Sequence, residues 1–450
     1  MRGKRIRNTL VSVVLEIALV FCALLGCGSE KPEPYDDAVQ NKNSGSNIFA
    51  EKENSDDDLT GGRGPVIRVA TWYDDSYTPN LRAYLAQQFP YYDFEFIYIE
   101  KSHYKNIIDA QLSFNGAPDI IFVDHAMAKT HAMNGHIIPL TDICGSFSVE
   151  GLTAFWYDRD TYAVPSTTCF QCMYVNKGIF DKYELKVPQN ADDFIAMCAF
   201  IEKTANIKAI SAGMKDYETI SISALSILQG NYFGTEYGGA FGTRLKYGRS
   251  IFYKDLYEYM QDWEEMIQEG ILSPDMYMMD KKAAIAEFVA GESLLLVAGP
   301  EDYNRIRVAN PKMEISTLPL GWGRYGAFLI GGCDCGFAVN ANSTNVTEAK
   351  AVVRTLASKD GQFAIWKDRV GSRTYLRKTE FTNPPAFDGI KDIFYTNQLY
   401  MPVQDWGEQG MEINLVFGKE LQYVLIGEEP LNMALMNIDI KVNNLKKAEE

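Results

Sequence analysis

The sequence predicts an α/β protein of more than one domain, built on open, largely parallel sheets. Three observations carry this. From Val66 onward, strand-like runs alternate with amphipathic helical stretches, a pattern that lays helices against a mostly parallel sheet. The chain has 450 residues, 46% of them hydrophobic and 12% aromatic, which is too long for one core and ample for two or three. Around the middle, Tyr162–Ile201 reads as strand, strand, turn and helix in quick succession, and the rest of the chain is organised around it.

The first residues give the address. Arg2, Lys4, Arg5 and Arg7 precede a mostly apolar run from Leu10 to Leu25, followed by Gly26-Cys27. A basic head, an apolar run and a small residue before Cys resemble a bacterial lipoprotein signal. The resemblance implies cleavage before Cys27 and a diacylated N-terminus there. Glu16 interrupts the run and Leu25 is bulkier than usual. The run is close to the spanning length of about 20 residues, so an uncleaved anchor is the alternative. Either way the body sits outside the cytoplasm. Residues 1–26 carry a net +3, so the mature chain is at −19 against −16 for the whole. That argues against nucleic acid and against docking on anionic lipid through a basic face. Gly28–Gly64 is polar, with few large apolar residues, and reads as a solvated acidic tether. Asp56-Asp57-Asp58 belongs to that tether, because a calcium loop needs a fixed turn and spaced oxygen ligands.

Val66–Trp72 reads as a first buried strand, and Thr78 or Asn80 caps a helix through Phe89. Tyr92–Ile99 alternates as a strand, Tyr104–Phe114 is a helix, and Ala117–Asp124 holds a third buried strand. Ligands gather at the carboxyl ends of strands in such sheets, which places Trp72, Tyr73, Asp74, Asp75, Asp124 and His125 on one rim. Tyr162–Val164 ends in Pro165, and Phe170–Val175 is a further strand closed by Asn176-Lys177-Gly178. Asn190 caps a helix to about Lys203. Ser221–Gly230 is a helix. Lys254–Glu269 is one strongly periodic helix ending at Gly270. Ala283–Val289 is a helix, Ser293–Ala298 a strand, Ile315–Leu320 and Cys333–Val339 strands, and Val346–Ser358 a helix. Glu420–Glu428 and Pro430–Leu445 close the chain as helices.

Several motifs in this order resemble the extracellular solute-binding proteins of ABC importers, the sugar-binding family 1 similar to maltodextrin-binding protein. They are PDIIFVD (Pro118–Asp124), GHIIPLTD (Gly135–Asp142), the strand and YNK-like turn Tyr174–Lys177, AAIAEFVAGESLLLVAGP (Ala283–Pro300) and GFAVNANSTNVTEAKAVVRTLAS (Gly336–Ser358). The resemblance spans Val66 to Leu445. It implies a periplasmic-binding-protein-like fold of type II, two α/β lobes joined by a multi-strand hinge with a ligand cleft between them. The implied divisions are 1–26 signal, 27–64 tether, 65–174 first part of the N-terminal lobe, and 175–327 first part of the C-terminal lobe. Residues 328–370 return to the N-terminal lobe, and 371–450 form the closing helices.

The resemblance also implies a function. A membrane-anchored binding lipoprotein captures a small solute, carbohydrate above all, by hinge closure and presents it to an ABC permease. No catalytic residue, metal or cofactor is called for, and the protein acts as a monomer. The candidate ligand contacts are Trp72, Asp74, Asp124, Glu301, Asp302, Tyr303, Trp322 and Trp406. In the family, the loop after GP carries an aromatic residue that stacks on sugar; here it reads Glu301-Asp302-Tyr303, which departs from a simple neutral malto-oligosaccharide site. Trp156 shares the loop-like context of Trp322 and Trp406, whereas Trp263 and Trp366 read as core. Cys169-Phe-Gln-Cys172 has CxxC spacing, but on a strand rather than at a helix start, where a redox thiol would be activated. A disulfide to Cys333 or Cys335 suits an exported protein; zinc and buried reduced thiols are the alternatives. Two other functions stay open. One is a secreted glycoside hydrolase with two carboxylates from Asp74, Asp75, Asp124, Glu301 and Asp302, which would consume its ligand. The other is a sensor lipoprotein of the same fold. No G-x-S-x-G or HExxH string is present.

Overall fold

The computed structural model describes residues 64–447, apart from 324, 325, 334, 397 and 408. The signal segment, Cys27 and the tether lie outside the described residues. The chain runs β1 (Val66–Thr71), α1 (Pro79–Gln88), β2 (Asp93–Tyr98), α2 (Lys101–Ser113), β3 (Ile120–Val123), α3 (His125–Met133) and β4 (Val164–Pro165). It crosses through β5 (Cys169–Phe170) and β6 (Cys172–Asn176), then forms α4 (Ala191–Ala205), β7 (Lys208–Ala212), α5 (Tyr217–Leu228), α6 (Gln261–Gln268), α7 (Lys281–Val289) and β8 (Ser293–Ala298). There follow α8 (Tyr303–Ala309), β9 (Ile315–Leu318), β10 (Gly321–Gly323), β11 (Gly326–Gly332), β12 (Gly336–Val339), α9 (Val346–Leu356), α10 (Lys359–Asp368), β13 (Leu399–Tyr400), α11 (Gly410–Leu425) and α12 (Leu431–Lys447).

These elements make two lobes, each with its own sheet and core. The first lobe holds the five-stranded sheet β2-β1-β3-β12-β4, the second the four-stranded sheet β9-β6-β8-β7. In the first, β1 runs parallel to β2 and β3, while β12 runs antiparallel to β3 and β4. In the second, β8 is parallel to β7 and antiparallel to β6. Both sheets are therefore mixed, not largely parallel, because the returning strand β12 and the departing strand β6 enter against the βαβ direction. A separate ladder, β10-β11-β13 with β5 beside β11, lies where the chain crosses.

Asn190 caps its helix as the sequence suggests, and Asn176 and Asp124 act as caps as well. Asn176 and Asn190 accept from the backbone N–H groups of Ile179 and Asp193 at 3.2 and 2.8 Å, and Asp124 accepts from Met127 at 2.7 Å. The first helix differs. Thr78 makes no side-chain cap; instead the Asp368 carboxylate, from α10, accepts from the N–H groups of Asn80 and Leu81 at 2.9 Å each. The single strand expected over Phe170–Val175 breaks at Gln171, where the chain leaves the crossing ladder for the second sheet. The helix expected over Lys254–Glu269 is three pieces, Phe252–Leu256, a 3-10 turn Tyr257–Met260, and α6. At the break Asn231 donates its side-chain amide to the Tyr259 carbonyl and to Asp262, taking an acceptor that an unbroken helix would use itself. The chain re-enters the first sheet at β12 rather than at 328, and Thr374 and Leu376 still bridge to Thr167 and Phe147 of that lobe. Among the described residues no helix is long and apolar enough to cross a membrane.

Asp119, one residue before β3, is 1% exposed and ties the first lobe together. It accepts from the Arg68 N–H at 2.7 Å and from the Ser343 hydroxyl at 2.5 Å, so β1 and the turn after β12 share one carboxylate. Replacing it with Ala leaves these donors without their shared acceptor. The expected cost of Asp119→Ala is about 2–3 kcal/mol, read as a lowered midpoint in urea unfolding with an unchanged slope.

Candidate functional site

The carboxyl ends of β1, β2, β7 and β8 all face the gap between the lobes, and the segments leaving them build its walls. A cavity of about 230 Å³ lies there, room for roughly eight waters and therefore for a ligand about the size of a monosaccharide. The first lobe supplies rings. Trp72 and Tyr73 follow β1 directly, and Tyr77 stands in the short 3-10 turn Asp75–Tyr77. Trp72 is held edge-on against Tyr104 and Phe122, with centroids at 5.0 and 5.6 Å, so its orientation is set by the core beneath it.

The second lobe supplies charge. Asp216 caps α5 by accepting from the Glu218 N–H at 2.9 Å. Lys281 opens α7 and lies 3.2 Å from Glu301 and 3.5 Å from Asp302. Gly213 makes this possible, since a Cβ there would meet the Lys281 backbone nitrogen at 2.6 Å. Burial works against the Lys281 charge, yet Asp302 and Glu301 override it and hold the ammonium well above its ordinary range. Burial likewise opposes the Glu301 carboxylate, but Lys281 brings it below the usual value. Asp302, fully enclosed, is pushed up by burial despite Lys281; it accepts from the Gly299 N–H at 3.2 Å and from the Tyr77 hydroxyl at 3.3 Å. Burial and the neighbouring Glu218 raise Asp216 as well. Burial also raises Tyr73. The Arg369 guanidinium stacks 4.4 Å behind the Tyr73 ring.

The crossing strands form the back. Gln171, 9% exposed, lines the cavity, and its Oε1 has no hydrogen-bond partner among the described residues. Cys169 and Cys335 line the same surface. The disulfide expected at the crossing is absent: Cys144, Cys169, Cys172, Cys198, Cys333 and Cys335 are all free thiols. Strand alternation separates one of the CxxC thiols: Cys172 turns into the second-lobe side with Tyr174 and Phe288, Cys333 and Cys335 into the first-lobe core. Burial raises the Cys172 thiol well above its ordinary value, which leaves it inert rather than a ligand or redox centre.

The expected ligand contacts separate. Trp72 and Glu301 line the cavity, and Asp302 lies just beneath it. Asp124 borders a smaller neighbouring cavity of about 110 Å³, shared with Trp72, Lys101 and Glu218. Asp74 and Asp75 turn away from it: Asp74 accepts from Ser76 and pairs with Arg305 at 3.4 Å, while Asp75, with its side chain 83% exposed, pairs with Arg82. Tyr303 begins α8 and packs on Phe387 at 5.2 Å. Trp406 is core, wedged edge-on between Phe252 and Phe417. Trp322 lies in β10, opposite Ala327. Tyr77, Lys101, Gln171, Asp216, Glu218, Lys281 and Asn414 were missed. Asp216-Tyr-Glu218 and Asp280-Lys281 do carry a signal, that of charged helix starts following strands.

A family model for bacterial extracellular solute-binding proteins matches residues 82–378. The chain belongs to this family. Its members are binding proteins, and the family is an extracellular one. The two-lobed, periplasmic-binding-protein-like architecture is shared with a family 1 extracellular solute-binding protein from Bifidobacterium longum subsp. infantis (TM-score 0.63, 19% identity, 85% of this chain and 100% of that one). It is shared with a chitin oligosaccharide binding protein (TM-score 0.72, 15% identity, 85% and 99%). A sugar transporter from Bacillus licheniformis in complex with stachyose is also similar (TM-score 0.69, 17% identity, 84% and 98%). At these identities the likeness is one of fold. No curated protein matches the sequence.

The solute-binding fold works by lobe closure, and here the lobes touch directly. Lys101 pairs with Glu218 at 2.7 Å and Lys105 with Glu412 at 3.4 Å. Arg305 meets Asp74 and covers the Tyr77 ring at 3.3 Å, and the Asn304 amide donates to the Lys367 carbonyl at 2.8 Å. The pairs are partly exposed, with the Lys101 side chain at 42%, so each contributes under about 1 kcal/mol. The double variant Glu218→Gln, Glu412→Gln should open the cleft in the ligand-free protein and increase the radius of gyration in small-angle scattering. An unchanged radius would mean that the hinge alone sets the lobe angle.

Proposed function

We propose that this chain is the binding lipoprotein of an ABC importer, anchored at the outer face of the cell membrane through Cys27, and that its solute is a carbohydrate. The observation that carries the reading is the pairing of two unlike walls across one cleft: aromatic rings of the first lobe against fixed charged donors and acceptors of the second. A sugar has the matching surfaces, an apolar C–H face for Trp72 and a hydroxyl rim for Asp216, Lys281 and Glu301. The mechanism is capture without chemistry. The solute docks on one lobe, closure buries it against the other, and the permease meets the closed form. The family match supports solute capture, and the sugar-bound relatives favour carbohydrate among solutes. The lipoprotein-like start supports the anchor.

A thermal-shift screen against sugars, polyols, amino acids, oligopeptides and polyamines tests this. A sugar at about 100 times its dissociation constant should stabilise the protein by roughly 2.7 kcal/mol and be recovered intact. Conversion of the sugar to products would instead establish a hydrolase, and a shift with amino acids, oligopeptides or polyamines alone would overturn carbohydrate. With the sugar in hand, Trp72→Ala should weaken binding about 10- to 100-fold by removing the ring face. Unaltered affinity would place the sugar elsewhere.

A further inference from the structure

The polarity of the cavity wall changes along α5. Its cavity face begins with Asp216 and Glu218 and continues, one and two turns on, with Ile222 and Leu225. Positions 218, 222 and 225 follow the i, i+4, i+7 rule for one helix face, so the wall changes from charged to aliphatic over about 10 Å. The charged end is continuous: Lys101 pairs with Glu218, and Lys281 pairs with Glu301 beside Asp216. At the other end Met401, just before a 3-10 turn (Pro402–Trp406), and Met411 of α11 join Ile222. These three side chains are only partly buried by protein, so they present apolar surface to the cavity itself. Asn414, the polar side chain of α11 in the cavity wall, accepts the Ser221 hydroxyl on its Oδ1.

We infer that the solute is amphiphilic: a sugar head carrying one apolar substituent of phenyl or short-alkyl size, with the substituent on Ile222, Met401 and Met411. The inference rests on the carbohydrate reading above and narrows it. A hydroxyl pressed against Ile222, Met401 and Met411 gives up water and finds no partner on those three side chains, a loss of about tenfold or more in affinity. An apolar group there is desolvated to advantage by a similar factor. The hydroxyl rim meanwhile keeps the paired charges of Lys101, Glu218, Lys281 and Glu301.

Titration calorimetry on the full chain with methyl and phenyl β-glycosides of glucose, galactose and xylose tests this, alongside the free sugars. For the sugar that binds, the phenyl glycoside should bind at least about tenfold tighter than the methyl glycoside. That ratio should fall toward one in Ile222→Asn and, separately, in Met401→Gln, two variants so that a folding failure in one leaves the other. Methyl and phenyl glycosides of equal affinity would overturn the amphiphile and leave the carbohydrate reading standing. A phenyl preference that survives in the folded variants would overturn the assigned wall. If none of these compounds binds, free sugars included, both readings fail together.

Discussion

The cleft depends on a short ladder at the chain crossings. Cys169 and Phe170 pair with Gly332 and Gly331, so the outgoing and returning crossings are hydrogen-bonded to each other rather than running separately. Gly331 lets them meet, because a Cβ there would come within 2.1 Å of the Cys169 carbonyl oxygen. On one side of the ladder the chain enters the first sheet through β4 and β12; on the other it enters the second through β6. Crossings bound to one another turn as one, so the lobes have an axis rather than a loose tether. The carboxyl ends of both sheets then necessarily face the same gap.

Within that gap the fixed object is the Lys281 ammonium. Taking two carboxylates and an ammonium out of water is expensive, and their attraction offsets the cost only when remaining lone pairs find donors. Asp302 meets that condition through the Gly299 N–H and the Tyr77 hydroxyl. The opposite pKa directions of Glu301 and Asp302 follow from the same arrangement: both press on one ammonium, and the more deeply enclosed acid holds its proton more tightly. A cluster locked in this way offers hydroxyl groups donors and acceptors whose ordering cost is already met, which is the condition for selective binding of a heavily hydrated solute.

The architecture was readable because it rests on local rules: buried apolar strands, helix-capping Asn and Asp, and Gly-Pro punctuation. Asn190 caps where its sequence context placed it. The misses have one physical character, the override of a local pattern by a distant partner. Lys254–Glu269 keeps a helical period, but Asn231 breaks it from about thirty residues away. Thr78 looks like a cap, but Asp368 does the capping. The candidate site was less readable for the same reason. Trp406 has a loop-like context yet fills the space between Phe252 and Phe417, and no local pattern reports that space. Lys281 and Asp216 meet only because two strand–helix junctions of the second sheet lie side by side. Trp72 and Glu301 were recoverable because each directly follows a strongly patterned strand.

On the proposed function, the division of labour between the lobes makes recognition and closure one event. The rings Trp72, Tyr73 and Tyr77 belong to the first lobe, and Asp216, Glu218, Lys281 and Glu301 to the second, so either lobe alone offers a ligand only half of its surface. The direct lobe–lobe pairs are partly exposed and individually weak, so each adds little to the stability of this arrangement. A ligand that engages both walls has differential affinity for the closed form by construction, and a differential of about 5.5 kcal/mol is enough to carry a population from one form almost wholly to the other. Tyr77 and Asp302 sit on both sides of this balance: their contact closes the lobes, and the same groups frame the cavity that the closure completes.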